Sequence, residues 1–217
     1  MIVLIGDSLT QFGFNPETLG WGTLLQYKYI RKMDILNRGY SGYTTRWYPT
    51  PLDIPSETQL VTLLLGSNDA AINSVQTVPL EEFITRMEAM INEITSVTRL
   101  LLITPPPVKR PDRNNSSTIK YRNAVMKLAQ IHDVPVLDTW ELFDISTDDN
   151  ELIMDLYFVD GLHFSKDGNQ RLFQGVIDTI NQYYPELNAD EMDPTYPWWN
   201  DLAKFKTSDS SHQTLQI

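Results

Sequence analysis

The 217-residue chain contains no cysteine, and this absence limits its possible chemistry. Without thiols there is no disulfide framework, no thiolate metal site and no cysteine nucleophile. Histidine is also scarce, with three residues scattered along the chain and none at a zinc-binding spacing. The glycine-rich patterns that cradle nucleotide phosphates are missing too. We therefore expect neither a metal ion nor another cofactor.

Long hydrophobic runs are missing as well. No apolar stretch approaches the roughly 18 residues that a membrane-spanning helix requires. The apolar start, Met1–Ile5, lacks the basic residues and the length of a secretory signal. We therefore expect a cytoplasmic protein without a membrane span.

Basic residues are rare in one part of the chain. Residues 138–201 hold 15 acidic but only 2 basic side chains, and the whole chain has a formal net charge of −11. Such an acidic surface repels phosphate groups, so we expect no nucleic-acid partner. A solvated acidic face accounts for this composition, and an acidic field that steers cationic ligands is the alternative.

The apolar segments that are present alternate between two periods, one typical of strands and one typical of helices. Short runs rich in Val, Leu and Ile predict strands at 2–5, 33–37, 59–65, 99–104 and 134–137. Apolar stripes at steps of three and four predict helices over 21–32, from residue 80, after Ser116 or Ser117 as the N-cap, and after Ser165. Strands that are apolar without alternation are typical of parallel sheets covered on both faces. The sequence therefore predicts a three-layer α/β domain over residues 1–184, with a central parallel five-stranded sheet and helices on both faces.

The periodic pattern ends after residue 184. Residues 185–217 form an acidic extension with an aromatic cluster at Tyr196, Trp198 and Trp199. We expect this cluster to pack on the domain or on a second copy of the chain, in a homodimer. The last dozen residues, rich in Ser, Thr and Gln, are expected to be mobile.

Four polar segments stand where they are expected to meet at one edge of the sheet. Three of them directly follow predicted strands, and the fourth precedes the last predicted helix. Ligands of open parallel sheets bind outside the carboxyl ends of the strands, so this edge is the place to look for chemistry. The four segments are Gly6-Asp7-Ser8-Leu9-Thr10, residues 37–44, Gly66-Ser67-Asn68-Asp69 and Asp160-Gly161-Leu162-His163-Phe164-Ser165.

Together these segments contain the groups that acyl transfer needs. Ser8 is the candidate nucleophile and requires a base, for which His163 is suited because an imidazole ordinarily titrates near pH 6.5. Asp160, three residues earlier, can accept the other ring N–H. The backbone N–H groups of Ser8 and Gly42 and the side-chain amide of Asn68 can stabilise an oxyanion. Each motif alone is more typical of a turn, a helix cap or a solvated loop, so the hypothesis depends on their joint occurrence.

The walls of a substrate pocket are harder to identify from the sequence. Phe12, Phe14 and Trp47 lie close in sequence to Ser8 or Gly42 and are candidates for apolar walls around a short acyl or alkyl chain. Core packing is the alternative for each of the three. A non-catalytic protein that binds a small ligand at the same edge is the alternative for the whole site, since fold alone does not decide function.

The sequence resembles the SGNH (GDSL-type) hydrolase family, whose four blocks occur here in the expected order. Gly6-Asp7-Ser8-Leu9 is similar to the serine block and Gly42 to the glycine block. Gly66-Ser67-Asn68-Asp69 is similar to the asparagine block, and Asp160-Gly161-Leu162-His163 to the Asp-x-x-His block. Within the family, residues 31–39, 42–47 and 159–165 are most similar to the isoamyl acetate-hydrolysing esterase group.

The resemblance implies a flavodoxin-like fold and metal-free hydrolysis of a small-molecule ester. It also implies Ser8, Asp160 and His163 as a catalytic triad, with Ser8, Gly42 and Asn68 as oxyanion donors. We therefore predict a serine esterase that hydrolyses short-chain carboxylic esters through an acyl-enzyme intermediate. A thioesterase, a lysophospholipase and a carbohydrate acetylesterase are alternatives on the same site. The esterase group carries a longer insertion where this chain has residues 104–115, so we expect part of the pocket wall to differ.

Overall fold

The computed structural model describes residues 1–144 and 151–202, and its centre is a parallel sheet of five strands. The strands are β1 (Ile2–Gly6), β2 (Ile35–Gly39), β3 (Leu60–Leu64), β4 (Arg99–Ile103) and β5 (Val136–Leu137). The helices are α1 (Ser8–Gln11), α2 (Trp21–Lys28), α3 (Leu80–Thr95), α4 (Asn115–His132), α5 (Thr139–Leu142), α6 (Glu151–Tyr157) and α7 (Lys166–Tyr183). Within the described ranges, none of these helices is long and apolar enough to cross a bilayer.

The order of the strands in the sheet is β2-β1-β3-β4-β5. The chain leaves β1 towards β2 on one side and then crosses back to β3 on the other. The carboxyl end of β1 therefore lies where the strand order reverses, which is the preferred ligand position in doubly wound sheets. The segments that follow β2 and β3 both flank the residues that follow β1.

Alternate residues of the strands point into two separate apolar cores. On one face, Ile2 and Leu4 of β1 pack in a cluster with the buried side chains of α2 and α7, among them Trp21, Leu25, Leu172, Val176 and Ile180. On the other face, Val3 and Ile5 pack in a cluster with those of α3 and α4, among them Phe83, Met87, Ile91, Val125 and Leu128. The predicted three-layer arrangement around a parallel five-stranded sheet is confirmed.

The turn between α2 and β2 lies where the sequence pattern predicted regular structure. The helix ends at Lys28 rather than at residue 32, and β2 begins at Ile35 rather than at residue 33. Between them Arg31 has a left-handed φ of 62°, and the N–H of Met33 donates to the carbonyl of Tyr29 at 3.0 Å. Because Tyr29 and Met33 are both buried, the apolar pattern continues through the turn and conceals it.

Strand β5 is shorter than predicted because Val134, the first residue of the predicted strand, is still hydrogen-bonded to the last turn of α4. The N–H of Val134 donates to the carbonyl of Ala129 at 2.9 Å, and Asp133 between them is left-handed, with a φ of 52°. Helices α5 and α6 were not predicted. They have 4 and 7 residues, which is too short for a helical period to be recognised.

The described part of the extension after residue 184 begins by packing on the domain. Leu187 and Ala189 are buried in the same core as the side chains of α2 and α7. Lys28 of α2 forms an ion pair with Asp190 at 2.7 Å. Apolar burial and charge thus both attach this segment to the face that α2 and α7 cover.

The aromatic cluster farther along is attached at one point and otherwise faces solvent. The guanidinium of Arg31 lies 4.0 Å from the ring centroid of Trp198, yet Trp198 is 56% exposed and Trp199 is 74% exposed. The homodimer that would cover these rings stays a prediction, as does the division of the chain at residue 184. The predicted mobility of the last dozen residues concerns a segment outside the described residues.

The N-cap of α4 is Asn114 rather than Ser116 or Ser117. Its Oδ1 accepts hydrogen bonds from the Ser117 N–H and the Ser116 hydroxyl, each at 2.8 Å. Asparagine caps helices as well as serine does, so neighbouring polar residues compete for the position. Asn114 takes the position because it lies just before the first helical residue and its side chain reaches the N–H of Ser117, three positions later.

We expect Asn114→Ala to lower the free energy of unfolding by about 1 kcal/mol, because it removes the side-chain acceptor of the Ser117 N–H and leaves only the longer contact of 3.2 Å with the Asn114 carbonyl. Ser116→Ala removes an exposed hydroxyl that donates to the same side chain, and serves as the control with an expected change below about 0.5 kcal/mol. Urea unfolding of both variants measures the difference. Equal losses would contradict the assignment of Asn114 as the cap.

Candidate active site

A chain of hydrogen bonds joins Ser8, His163 and Asp160 at the carboxyl edge of the sheet. The Oγ atom of Ser8 lies 3.0 Å from Nε2 of His163, and Nδ1 of the same ring lies 2.8 Å from Oδ2 of Asp160. The serine and histidine are 155 positions apart in sequence, so the fold alone brings them together. A hydroxyl, an imidazole and a carboxylate in this order form a nucleophile, a base and a group that orients the base.

The position of Ser8 follows from its place at the end of β1. Asp7 follows Gly6, the last residue of the strand, and caps α1, because its side chain accepts the N–H of Leu9 at 2.9 Å. Ser8 is therefore the first residue of a helical turn that is packed on the sheet edge, and it is only 4% exposed. This packing restricts the backbone that carries the hydroxyl.

The loop that carries His163 is fixed by a glycine at its turn. Gly161 has a φ of 75°, in the left-handed region, and a Cβ there would lie 2.1 Å from the carbonyl oxygen of Lys109. The N–H of Lys109 donates to the carbonyl of Gly161 at 2.8 Å. The loop thus contacts the segment after β4 so closely that only glycine fits, and this contact holds His163 at the sheet edge.

Asp160 accepts more hydrogen bonds than the sequence suggested. Its Oδ1 accepts the backbone N–H groups of Leu162 and His163, and its Oδ2 also accepts from Nη1 of Arg110 at 2.9 Å. Burial by itself raises the pKa of this carboxyl, but the hydrogen bonds from His163 lower the pKa below its usual range. An ionised Asp160 favours the tautomer with its proton on Nδ1, so Nε2 can accept a proton from Ser8.

The turn that contains Gly42 is hydrogen-bonded to Asn68. Gly42 is the third residue of a turn that the N–H of Tyr43 closes by donating to the carbonyl of Tyr40 at 3.0 Å. Its φ of 81° is what a type II turn requires at this position, and glycine adopts it without strain. The amide Nδ2 of Asn68 donates to the carbonyl of Tyr43 at 2.8 Å. One hydrogen bond therefore joins the turn after β2 to the segment after β3.

A small cavity of about 190 Å³ opens beside Ser8, and its lining is mainly apolar. The lining residues are Ser8, Leu9, Phe12, Asn15, Thr18, Val159, His163, Phe164 and Asn169. Of the three residues suggested as pocket walls, Phe12 lines this cavity, with its ring edge-on to His163 at a centroid distance of 5.3 Å. The structure does not place Phe14 or Trp47 in the lining. Phe14 packs against Gly22 and the core, and Trp47 is 43% exposed.

Two buried carboxyl groups lie close to the serine. Burial, and to a smaller extent the neighbouring Asp69, raise the pKa of Asp7 to about 7, although the hydrogen bond from the Leu9 N–H and the charge of Arg113 lower it. Burial also raises the pKa of Asp69 to about 6, although the hydroxyl and N–H of Thr45 donate to its Oδ1. The Oδ2 atom of Asp7 lies 3.4 Å from Nδ2 of Asn68. A group that changes its charge near neutral pH therefore lies beside a candidate oxyanion donor.

Some residues at this edge were missed by the sequence analysis. Arg110 and Arg113 follow the carboxyl end of β4 and reach Asp160 and Asn68, respectively. The rule that located the other polar segments applies to this one as well, but the sequence analysis treated residues 104–115 only as part of the pocket wall and gave no role to any of them. No short-range signal marks Asn169, which reaches the cavity from α7.

A metal centre finds no support among residues 1–144 and 151–202. There, no group of three or more His, Asp or Glu side chains is arranged to hold an ion. The absence of a metal and of other cofactors stays a prediction.

We expect Asp7→Asn to stabilise the fold increasingly as the pH rises. The pKa of Asp7 is about 7 in the folded protein and 3.8 for an exposed carboxyl. Between these values the acid ionises in the unfolded chain but stays protonated in the fold, so stability falls as the pH rises through that range. Asparagine keeps an oxygen for the Leu9 N–H and removes the charge, so the gain at about pH 8 is at most about 4 kcal/mol. Urea unfolding at about pH 4 is the internal control, because little difference is expected there. A gain that does not depend on pH would refute this assignment.

The chain is similar in sequence to known esterases over most of its length. The human isoamyl acetate-hydrolyzing esterase 1 homolog is 35% identical over 94% of this chain and 89% of its own length. The isoamyl acetate-hydrolyzing esterase of Saccharomyces cerevisiae is 31% identical over 92% of this chain and 94% of its own length. The resemblance seen in the sequence is thereby confirmed.

Solved structures support the fold. The lipase/acylhydrolase from Enterococcus faecalis superposes with a TM-score of 0.70 at 24% identity, covering 90% of this chain and 98% of the other. This likeness confirms the flavodoxin-like α/β architecture. The sequence profile of the GDSL-like Lipase/Acylhydrolase family matches residues 4–171, a range that holds all four sequence blocks. The chain therefore belongs to the GDSL-like lipase/acylhydrolase family.

Proposed function

We propose that this chain is a serine esterase that hydrolyses short-chain carboxylic esters through an acyl-enzyme intermediate. The observation that carries the proposal is the 3.0 Å separation between Ser8 Oγ and His163 Nε2, with Asp160 hydrogen-bonded to the other ring nitrogen. Membership of the family supports a carboxylic ester hydrolase. The names of the human and yeast relatives support a small ester as the substrate.

In the acylation half, His163 takes the hydroxyl proton while Ser8 Oγ attacks the ester carbonyl carbon. The carbonyl π bond breaks and its electron pair moves onto oxygen, which gives a tetrahedral intermediate with one negative charge. When the bond to the alkoxy oxygen breaks, the imidazolium returns its proton to that oxygen. The products of this half are a free alcohol and an acylated Ser8.

In the deacylation half, water replaces the alcohol and the same groups act again. His163 takes a proton from water, and the hydroxide oxygen attacks the acyl carbon. The second tetrahedral intermediate then collapses, the bond to Ser8 Oγ breaks, and the imidazolium protonates that oxygen. The acid leaves, and the enzyme returns to its starting protonation state. Asp160 stabilises the imidazolium in both halves without becoming protonated.

The negative oxygen of each intermediate needs donors that are already in place. We assign this role to the backbone N–H groups of Ser8 and Gly42 and to the side-chain amide of Asn68. The contact between the Gly42 turn and Asn68 supports the assignment, because it holds two of the three donors together. Loss of one such donor lowers turnover by about 10²–10³-fold in enzymes of this kind.

The cavity beside Ser8 supports a preference for short chains. Its volume of about 190 Å³ lies below the roughly 300–1,000 Å³ of pockets that enclose drug-sized ligands. Leu9, Phe12, Val159 and Phe164 offer an apolar lining for an acyl or alkyl group. A long acyl chain, such as that of a lysophospholipid, would extend beyond this cavity.

We expect Ser8→Ala to lower hydrolysis of p-nitrophenyl acetate by more than about 10⁴-fold, because the nucleophile is lost while the fold remains. A fluorophosphonate should add its mass to Ser8 of the wild type and should not label the variant. Ser56→Ala, whose exposed hydroxyl donates to Glu57 on the surface, is the matched control and should retain full activity. Hydrolysis that persists in Ser8→Ala would remove the basis of the proposed function. A wild type that binds esters without hydrolysing them would favour the non-catalytic alternative.

We expect kcat/KM to fall by at least about 10-fold from acetyl and butyryl esters to octanoyl esters, since groups that the pocket cannot enclose lose the binding energy of their methylenes. A panel of esters in monomeric solution measures this, with isoamyl acetate among the acetates. An acetyl thioester and an acetylated xylooligosaccharide in the same panel separate the thioesterase and carbohydrate acetylesterase alternatives. Activity that rises with chain length would contradict the assignment of the cavity and favour the lysophospholipase alternative.

A further inference from the structure

Arg113 is a buried cation in contact with one of the proposed oxyanion donors. The residue is 4% exposed, and burial of a guanidinium is costly unless its N–H groups find acceptors. Its Nε donates to the carbonyl of Ser67 at 3.0 Å, and its Nη1 is paired with Asp112. Its Nη2 donates to Oδ1 of Asn68 at 2.8 Å and to Oε1 of Gln76 at 2.7 Å. Arg113 therefore binds two side-chain amides at once.

The contact with Arg113 fixes the orientation of the Asn68 amide. A guanidinium has donors but no acceptor, so it is the oxygen of the amide that must face it. The Nδ2 atom consequently points the opposite way, where one N–H donates to the carbonyl of Tyr43 at 2.8 Å. The contact from Nδ2 to Asp7 is longer, at 3.4 Å, which leaves the second N–H weakly engaged and available to a substrate oxygen.

Arg113 also fixes the orientation of the Gln76 amide, which contacts Gly42. Because its oxygen accepts from Arg113, its Nε2 points away and donates to the carbonyl of Gly42 at 2.8 Å. On the other side of the glycine, the N–H of Ser41 donates to Oε1 of Gln11 at 2.7 Å. The N–H of Gly42 belongs to the planar peptide between Ser41 and Gly42. The two hydrogen bonds hold the peptides before and after it, and this restricts its rotation.

We propose that Arg113 and Gln76 are positioning residues that set both of the oxyanion donors contributed by Asn68 and Gly42. The inference rests on the proposed function and deepens it, since the two residues act only through these donors. Without Arg113, rotation of the Asn68 amide would present its oxygen to the developing negative charge. Without Gln76, the peptide after Gly42 loses a hydrogen bond, and the adjoining peptide that carries the Gly42 N–H becomes freer to rotate.

The experiment that tests the proposal is steady-state hydrolysis of p-nitrophenyl acetate by Gln76→Met. Methionine has a similar length but removes both amide contacts, and Arg113 still holds Asn68. We expect kcat to fall by about 10-fold to 100-fold, which is less than the loss of a donor itself, while KM stays within about threefold. The pH dependence of kcat/KM should keep its midpoint, because the Ser8–His163–Asp160 chain is untouched. A residue with a merely structural role would lower thermal stability without separating kcat from KM in this way.

A second variant, Arg113→Lys, tests the role of Arg113, which donates to both Asn68 and Gln76. An ammonium keeps the charge but lacks the planar fork that reaches two amide oxygens, so we expect a similar loss of kcat. The double variant should cost no more than the worse single variant, because both residues act on the same donors. Arg99→Gln is the control. Arg99 is the first residue of β4 and pairs with Glu186, so this variant should retain full activity.

The outcomes separate this proposal from the proposed function. An unchanged kcat in Gln76→Met, together with an inactive Ser8→Ala, would overturn the positioning role and leave the esterase intact. A raised KM at constant kcat would also overturn it, because Gln76 would then bind substrate rather than position donors. Hydrolysis by Ser8→Ala would contradict the proposed serine esterase function. If Arg113→Lys does not fold, Gln76→Met decides the question alone.

Discussion

The parallel ladder that joins β1 to β2 and β3 is the constraint on which the rest of the structure depends. In its register, Gly6 pairs with Gly39 on one side and with Leu64 on the other, so the three following segments begin at the same height. A shift of one residue would turn the side chains of β1 from one apolar core to the other, and both cores are closely packed. The position of Ser8 between the segments after β2 and β3 is therefore set by hydrophobic packing in the layers below it.

His163 reaches the same edge by a different route, because no strand of the sheet directly precedes it. A β-bridge between Phe158 and Phe164 closes its loop, and both phenylalanines are buried in the core, with ring centroids 5.5 Å apart. The backbone contact between Lys109 and Gly161 then ties the loop to the segment after β4. His163 is thus held by two buried phenylalanines and one close backbone contact. Ser8 and His163 are held by different parts of the fold, and the hydrogen bond between their side chains joins the two.

These two kinds of constraint explain how much of the molecule could be predicted from the sequence. Ser8 and Asn68 lie in the segments that follow β1 and β3, so strand periodicity and the rule for parallel sheets suffice to place them at one edge. Spacing suffices for the contact between Asp160 and His163, but their approach to Ser8 depends on the loop. Arg113 lies 45 positions from Asn68 and 37 from Gln76, and no local pattern encodes contacts of that range. The turn between α2 and β2 was hidden for a different reason, since apolar burial continues through it.

The buried polar side chains at this edge of the sheet lower the stability of the fold, but they orient the groups around them. Asp7, Asp69 and Arg113 are all buried, and the charge of Arg113 opposes the rise that burial causes in the pKa of Asp7. Apolar side chains of similar volume are often as stabilising as such a cluster, or more so. They have no direction, however, whereas a guanidinium that only donates determines which end of an amide faces it. Donors oriented in this way before the substrate arrives need no reorganisation when negative charge develops on its oxygen. The arrangement thus exchanges some stability of the fold for a fixed orientation of the groups that would stabilise that charge.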